Sequence, residues 1–210
     1  MVKLKRIYES ILRETDDYRG KDLLVVDIQP IYESGFNHWL GEFVEFLNEN
    51  YESFKSLTFY YNGDETVGTI SKSDYQIWWH TNDLNEEITN EAKFYDKGYA
   101  FFRYCMDEDI DNEDISNLVR MMVEFNINDS RELDKSFWDT YIKRYGSEDV
   151  RELVEFSDDC IHIPDLMDDL KNYNNIVICG GGENECLKEV NIALDALNKN
   201  YKVLNKFVYY

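Results

Sequence analysis

The stretch Ile176–Leu197, IVICGGGENECLKEVNIALDAL, decides the fold of this chain. An apolar run stops at three consecutive glycines, and a helical spacing of apolar residues follows, at Leu187, Val190, Leu194 and Leu197. A buried strand, a glycine turn and an amphipathic helix in this order predict a central strand of a parallel α/β sheet.

The other predicted strands lie on both sides of this stretch. Leu23–Val26 is continuously apolar, which is typical of a strand buried on both faces. A helical pattern follows in NHWLGEFVEFLNENY, and a second strand, in SLTFYYNGDE, ends at the turn Asn62-Gly63. Strand, helix and strand at this spacing predict a right-handed βαβ unit. We expect two further strands, at Cys160–Ile163 and in the C-terminal YKVLNKFVYY.

The sequence therefore predicts a three-layer α/β fold with an open, mostly parallel, Rossmann-like sheet of about five strands. One domain would span residues 1–210, with a mostly helical insertion at about 65–158, after the second strand. Helical patterns occur in the insertion, in EDISNLVRMMVEF and ELDKSFWDTYIKRYG. A further amphipathic pattern precedes the first strand, with apolar residues at Leu4, Ile7, Tyr8, Ile11 and Leu12.

Composition excludes several classes of protein. The formal net charge is −21, from 22 basic and 43 acidic residues, which argues against direct nucleic-acid binding through phosphates. The acidic residues predict a well-solvated surface. The alternative is an acidic mimic of DNA that occupies a nucleic-acid-binding partner. No apolar run reaches the ~20 residues of a membrane span, and the acidic start is unlike an export signal. We expect a cytoplasmic protein without membrane contact, whose four cysteines stay reduced and form no zinc site.

A ligand site is predicted at the carboxyl ends of the strands, where open parallel sheets bind ligands. This prediction requires the strand near the beginning of the chain and the strand near its end to be neighbours. Asp27 ends the first strand, and a buried carboxylate at this place is costly unless it serves a site or a cap. The candidate ligand-binding residues are Gln29, Asn62, Gly180, Gly181, Gly182, Glu183 and Asn184.

The glycine loop has two interpretations. It could let a ligand approach the main chain and meet the free N–H groups of the next helix, or it could only make a tight turn. Cys186 would lie in the first turn of this helix, where the dipole favours a thiolate, although Glu183 and Glu185 oppose it. A nucleophilic Cys186 therefore needs a nearby cation; otherwise it is a small buried apolar residue.

The two ends of the chain resemble the isochorismatase-like cysteine hydrolases. VICGGGENECLKEVNIALDAL resembles the C-terminal signature of that family, with Gly180, Cys186, Asp195 and Ala196 at matching positions. LLVVDIQP resembles its first strand, in which Asp27 would be catalytic. The resemblance covers about 60 residues and implies an Asp–Lys–Cys triad that hydrolyses amide, vinyl-ether or related bonds in small molecules.

The lysine of this triad is not at its usual place, because CIHIPDLMDDL contains none. Lys97 and Lys143 are the alternatives, and we expect Lys97, in an aromatic segment of the insertion, to be the charge partner of Cys186.

Three functions follow. The first is a small-molecule hydrolase with Cys186 as nucleophile, Asp27 as general base and Lys97 as charge partner, without a cofactor. The second is an inactive binding or inhibitory protein on the same fold, which a similarity of the chain to bacteriophage proteins would fit. Its protein partner would contact aromatic residues of the insertion, namely Trp78, Trp79, Tyr99, Phe101 and Phe102. The third is a phosphoesterase that binds Mg²⁺ or Mn²⁺ through Asp27, Asp64, Glu183 and Glu185.

Overall fold

The computed structural model of the chain describes residues 18–63, 70–97, 111–156 and 161–209. In these ranges it contains five strands: β1 (Asp22–Val26), β2 (Ser56–Tyr61), β3 (Lys93–Asp96), β4 (Ile176–Gly180) and β5 (Tyr201–Val203). All pair in parallel, in the order β3-β2-β1-β4-β5. The predicted α/β class, with an open, Rossmann-like parallel sheet of about five strands, is confirmed.

The helices alternate with the strands as a parallel sheet requires. They are α1 (Glu33–Asn50), α2 (Lys72–Thr81), α3 (Glu86–Glu91), α4 (Asn112–Glu124), α5 (Lys135–Tyr145), α6 (Asp149–Phe156), α7 (Pro164–Leu170) and α8 (Cys186–Ala196). Short 3₁₀ segments lie at Pro30–Tyr32, Tyr51–Ser53, Ser130–Glu132 and Asn205–Phe207. The predicted N-terminal amphipathic pattern lies outside the described residues. Among the described helices, none combines the length and the apolarity that crossing a membrane requires.

The contacts divide the chain into two compact units. Unit 1 takes the chain up to Asp96, then Asn174–Gly181 and Tyr201–Tyr209, and it therefore holds the whole sheet. Unit 2 takes Lys97–Tyr173 and Gly182–Asn200, with helices α4 to α8. The single domain with an insertion at about 65–158 stays a prediction.

The core of unit 1 lies between one face of the sheet and helices α1 and α2. Val25, Phe59 and Val177 of the sheet share this core with helix residues that recur at helical spacing. Those residues are Phe36, Trp39, Phe43, Leu47, Tyr75 and Trp79. Leu24 and Val26, on the other face of β1, are also fully buried, which confirms the prediction of a strand buried on both faces.

The packing of unit 2 places α8 against α4 and α7, and α4 also contacts α5 and α6. Asp111 caps α4 by accepting the N–H of Glu113, and Asp134 caps α5 by accepting the N–H of Phe137. The guanidinium of Arg120, on α4, donates to the main-chain oxygens of Asp195 and Ala196 at the end of α8, at 2.9 and 3.3 Å. Cations are favoured at this end of a helix, so Arg120 ties two helices together.

The strand predicted at Cys160–Ile163 is wrong for the part that the structure describes. His162 makes only an isolated antiparallel bridge with Asp129, inside unit 2. Ile161 and Ile163 are buried on either side of the half-exposed His162, so the apolar alternation serves local packing there. The fifth strand of the sheet is instead β3, in the insertion that was predicted to be mostly helical and for which no strand was predicted.

Candidate functional site

The carboxyl ends of β1, β2 and β4 meet in unit 1. Val26, the last residue of β1, is opposite Tyr60 of β2 on one side and Gly180 of β4 on the other. The prediction that the first apolar strand and the strand before the glycines are neighbours is therefore confirmed. Asp27, Asn62 and Gly181 follow these three strands directly, and Gly180 is the last residue of β4.

Asp27 has a backbone conformation that side chains other than glycine rarely adopt, with φ at 48°. Its main-chain N–H donates to the main-chain oxygen of Tyr60 at 2.9 Å, and its main-chain oxygen accepts the Tyr209 hydroxyl at 3.0 Å. The residue is fully buried. A strained, buried aspartate at a strand end is typical of a functional position, because the surrounding structure must stabilise it.

Gln29 and Asn62, two of the predicted ligand-binding residues, are joined directly. The side-chain oxygen of Gln29 accepts the main-chain N–H of Asn62 at 3.1 Å, and both residues are buried. This bond links the loop after β1 to the turn after β2. Gln29 therefore shapes this end of the sheet, and any contact of its amide with a ligand stays a prediction.

The glycine turn is required by its own packing. Gly180 and Gly181 have φ values of 82° and 59°. A Cβ atom on Gly180 would lie 2.2 Å from the main-chain oxygen of Val26. The N–H of Gly181 donates to the same oxygen at 2.6 Å. The tight-turn interpretation thus accounts for both glycines, and the Gly181 N–H is engaged within the protein.

At the start of α8, in unit 2, two main-chain N–H groups are hydrogen-bonded within the protein. The oxygen of Gly182 accepts the N–H groups of Glu185 and Leu187, at 3.0 and 3.2 Å. Glu183, Asn184 and Glu185 are exposed. Because water screens exposed charges, the two glutamates oppose a thiolate at Cys186 less than their closeness in sequence suggests.

Cys186 is the first residue of α8 and only 3% exposed. Glu189 lies one helical turn later, on the same face of the helix. The ammonium of Lys97 is 3.3 Å from a carboxylate oxygen of Glu189, and both side chains have no exposed surface. Unit 2 thus brings Lys97 to the first turns of α8, whereas Lys143 lies exposed on α5.

Three residues near the carboxyl end of the sheet or near the start of α8 were not predicted from the sequence. Glu189 was missed because its role depends on Lys97, 92 residues earlier in the chain. The hydroxyl of Tyr75 donates to the oxygen of Ile28 at 2.6 Å, and Tyr209 binds the oxygen of Asp27. Burial raises the pKa of Tyr75 well above its usual value, which keeps its hydroxyl a donor. No local pattern marks a tyrosine that binds a distant carbonyl.

The remaining predicted residues fall into two groups. Asp64, Tyr99, Phe101 and Phe102 lie outside the described residues, and so do Cys105 and Cys160. Within the described ranges, no three His, Cys, Asp or Glu side chains are placed to hold a metal ion. Trp79 is fully buried and Trp78 packs on Phe36 and Tyr75, so these tryptophans belong to the core of unit 1.

Comparisons of the chain with protein families, with curated proteins and with solved structures found no match. The resemblance to the isochorismatase-like hydrolases therefore depends on the residues of its two motifs alone.

Proposed function

We propose that the protein is a small-molecule hydrolase with Cys186 as its nucleophile and Lys97 as the cation that stabilises the thiolate. The observation that carries the proposal is the buried pair of Lys97 and Glu189, one helical turn from Cys186. Burying an ammonium ion is costly, and this lysine is brought to α8 from far along the chain. A nucleophilic cysteine at a helix N-terminus requires such a cation.

The chemistry follows from these groups. The Cys186 thiolate would attack the carbonyl carbon of an amide or a related bond, and water would later release the acyl group from sulfur. The resemblance gives Asp27 the role of general base, which takes the thiol proton and later returns it to the leaving group. Glu189 would hold the ammonium of Lys97 in position without contacting the substrate.

A second candidate is a binding protein without chemistry. It is favoured by the 3% exposure of Cys186, since a buried thiol is more often a packing residue than a nucleophile. The reactivity of Cys186 separates the two candidates.

The test is peptide-resolved alkylation of the four cysteines in the native protein over a range of pH. Burial raises the pKa of the fully buried Cys179, which serves as the unreactive reference. For a hydrolase we expect Cys186 to react faster than the other three, with its half-maximal rate below about pH 8.5, the value of a free cysteine.

The matched variants separate charge from folding. Lys97→Met alone removes the ammonium that pairs with the buried Glu189 and should lower the free energy of unfolding by about 3–5 kcal/mol. Lys97→Met with Glu189→Gln removes both charges, so it should regain most of that loss while the half-maximal pH for Cys186 rises by about one unit. Lys143→Met, on exposed α5, should change neither quantity. If Cys186 reacts as slowly as Cys179 in the wild type, the hydrolase proposal is wrong and the binding protein is favoured.

A further inference from the structure

Two tyrosine hydroxyls meet two consecutive main-chain oxygens just beyond the end of β1. Tyr209 donates to the oxygen of Asp27 at 3.0 Å, and Tyr75 donates to the oxygen of Ile28 at 2.6 Å. The tyrosines lie 182 and 47 residues away from these acceptors along the chain, and all four residues belong to unit 1. Asp27 and Ile28 have no exposed surface, so their oxygens require donors from the protein.

Tyr75 is held in place by the first turn of α2 and by neighbouring rings. Its N–H donates to the oxygen of Ser71 at 2.9 Å. Its ring packs on those of Tyr61 and Trp78, with centroid distances of 5.3 and 6.1 Å. Burial raises the pKa of Tyr75 well above its usual value, and the charge of Asp27 acts in the same direction. The hydroxyl therefore keeps its proton and donates it to a fixed acceptor.

Tyr209 is held in place by α1 and by the turn after β4. The centroid of its ring lies 5.6 Å from that of Phe36. A Cβ atom on Gly35 would lie 2.9 Å from a carbon of this ring, so a larger residue at that position would displace it. The N–H of Tyr209 donates to the oxygen of Gly181 at 3.3 Å. The packing of unit 1 thus fixes where the Tyr209 hydroxyl lies.

The main chain is anchored on both sides of the Asp27 α-carbon. The peptide group before it donates its N–H to the oxygen of Tyr60 at 2.9 Å, and the peptide group after it accepts the Tyr209 hydroxyl. Because peptide groups are planar, bonds that anchor two neighbouring groups also fix the torsion angles between them. The φ of 48° at Asp27 is unfavourable for a residue with a Cβ atom, so it requires such bonds.

We propose that Tyr75 and Tyr209 are positioning residues for Asp27. Their hydroxyls hold its left-handed backbone, and the backbone in turn sets the direction of its carboxylate. This inference rests on the proposed function, in which Asp27 is the general base, because a base must be kept within reach of the proton that it takes. Both tyrosines act through Asp27.

NMR spectroscopy of the full-length chain tests this proposal at residue 27 itself. For Tyr209→Phe we expect the Asp27 amide to exchange about fivefold faster relative to that of Leu24, inside β1, because one hydrogen bond that holds the segment is lost. Tyr75→Phe should have a similar effect. The one-bond coupling between Cα and Hα depends on the sign of φ, and at residue 27 it should change when both hydroxyls are removed.

Tyr141→Phe is the matched control. Tyr141 is fully buried in unit 2, and its hydroxyl also donates to a main-chain oxygen, that of Asp114, at 2.9 Å. Its removal should lower the overall stability in the same way but leave both signals of residue 27 unchanged. Gly35→Ala retains all three hydroxyls and displaces the ring of Tyr209, so it should speed the exchange at Asp27 as Tyr209→Phe does.

The positioning role is wrong if exchange and coupling at residue 27 stay unchanged in both tyrosine variants, or if Tyr141→Phe changes them equally. Neither signal depends on Cys186. If residue 27 does not respond while Cys186 is reactive, the proposed function stands without this role for the tyrosines. If residue 27 responds while Cys186 is as slow as Cys179, the tyrosines position Asp27 and the hydrolase proposal is wrong.

Discussion

The two ends of β1 carry two fully buried aspartates that serve opposite purposes. Asp22 opens the strand and Asp27 follows its last residue, and neither has exposed surface. Side chains of this type are rarely buried without a specific reason. The two aspartates are buried for different reasons. Asp22 stabilises the amino end of the sheet, whereas Asp27 lies at the carboxyl end, where the ligand site is predicted.

At the amino end, Asp22 is a hub of hydrogen bonds. Its carboxylate accepts the Ser56 hydroxyl at 2.7 Å and the main-chain N–H of Asn174 at 2.9 Å, and Lys55 approaches to 3.3 Å. These bonds tie β1 to the start of β2 and to the residues that precede β4. Its backbone is an ordinary strand, so its role is to join three strands.

At the carboxyl end, Asp27 has a left-handed backbone that costs about 1–2 kcal/mol. Bonds from distant parts of unit 1 hold this conformation, among them those to Tyr60 and Tyr209. Glycine adopts this conformation without strain, and asparagine and aspartate tolerate it better than other residues do. The comparison teaches that a fully buried aspartate with a left-handed backbone lies at the carboxyl edge of the sheet, where ligands bind in this class of fold.

The largest effect is expected from Gly180→Ala, at the carboxyl end. The added Cβ would meet the Val26 oxygen at 2.2 Å in a left-handed conformation, so β1 and β4 must separate. We expect a loss of more than about 3 kcal/mol in the free energy of unfolding, measured by urea denaturation. Gly41→Ala is the control: nothing lies near its Cβ, and alanine in an exposed helix should add about 0.5–1 kcal/mol. Equal effects of both substitutions would contradict the close approach.

An intermediate effect is expected from Asp22→Ala, at the amino end. It leaves the Ser56 hydroxyl and the Asn174 N–H without their acceptor, which should cost about 2–3 kcal/mol. Asp22→Asn retains one acceptor oxygen and should lose less. Denaturation curves of the two variants measure the difference, and a loss below about 1 kcal/mol for Asp22→Ala would show that the hub is not needed.

The smallest effect on stability is expected from Asp27→Asn. Asparagine tolerates the left-handed backbone and has the same shape, so the loss should stay below about 1 kcal/mol, while Asp27→Ala should cost about 1–2 kcal/mol. If Asp27 acts as general base, Asp27→Asn should also remove any hydrolysis that depends on Cys186. A stability loss as large as that of Asp22→Ala would show that Asp27 stabilises the fold as much as Asp22 does, and the difference between the two ends of β1 would be wrong.

The sequence predicted the structure best where a local pattern of residues has a single physical explanation. Leu23–Val26 predicted a strand buried on both faces, and the apolar run before three glycines predicted its neighbour. The helical pattern EDISNLVRMMVEF predicted α4, which Asp111 caps with its side-chain acceptor. These local requirements were sufficient for the class of fold.

The errors arose where local pattern and tertiary role differ. Lys93–Asp96 is a four-residue edge strand with charged ends. It is too short to show the alternation of apolar and polar residues that predicts a strand. Ile161 and Ile163 alternate like a strand but pack inside unit 2. Glu189 in unit 2 and Tyr209 in unit 1 each bind a residue far away in sequence, and spacing along the chain does not reveal such contacts.

The interleaving of the two units constrains how the chain is made. β1 pairs with β4, so Asp22 cannot pair with Ile176 until the ribosome has synthesised the chain that far. Most of the chain of unit 2 is therefore synthesised before the sheet gains β4. During synthesis, the half-formed sheet exposes one unpaired side of β1 to the crowded cell. Fragments that end before β4 should therefore depend on chaperones or aggregate, and unit 1 cannot be expressed as one uninterrupted piece of sequence.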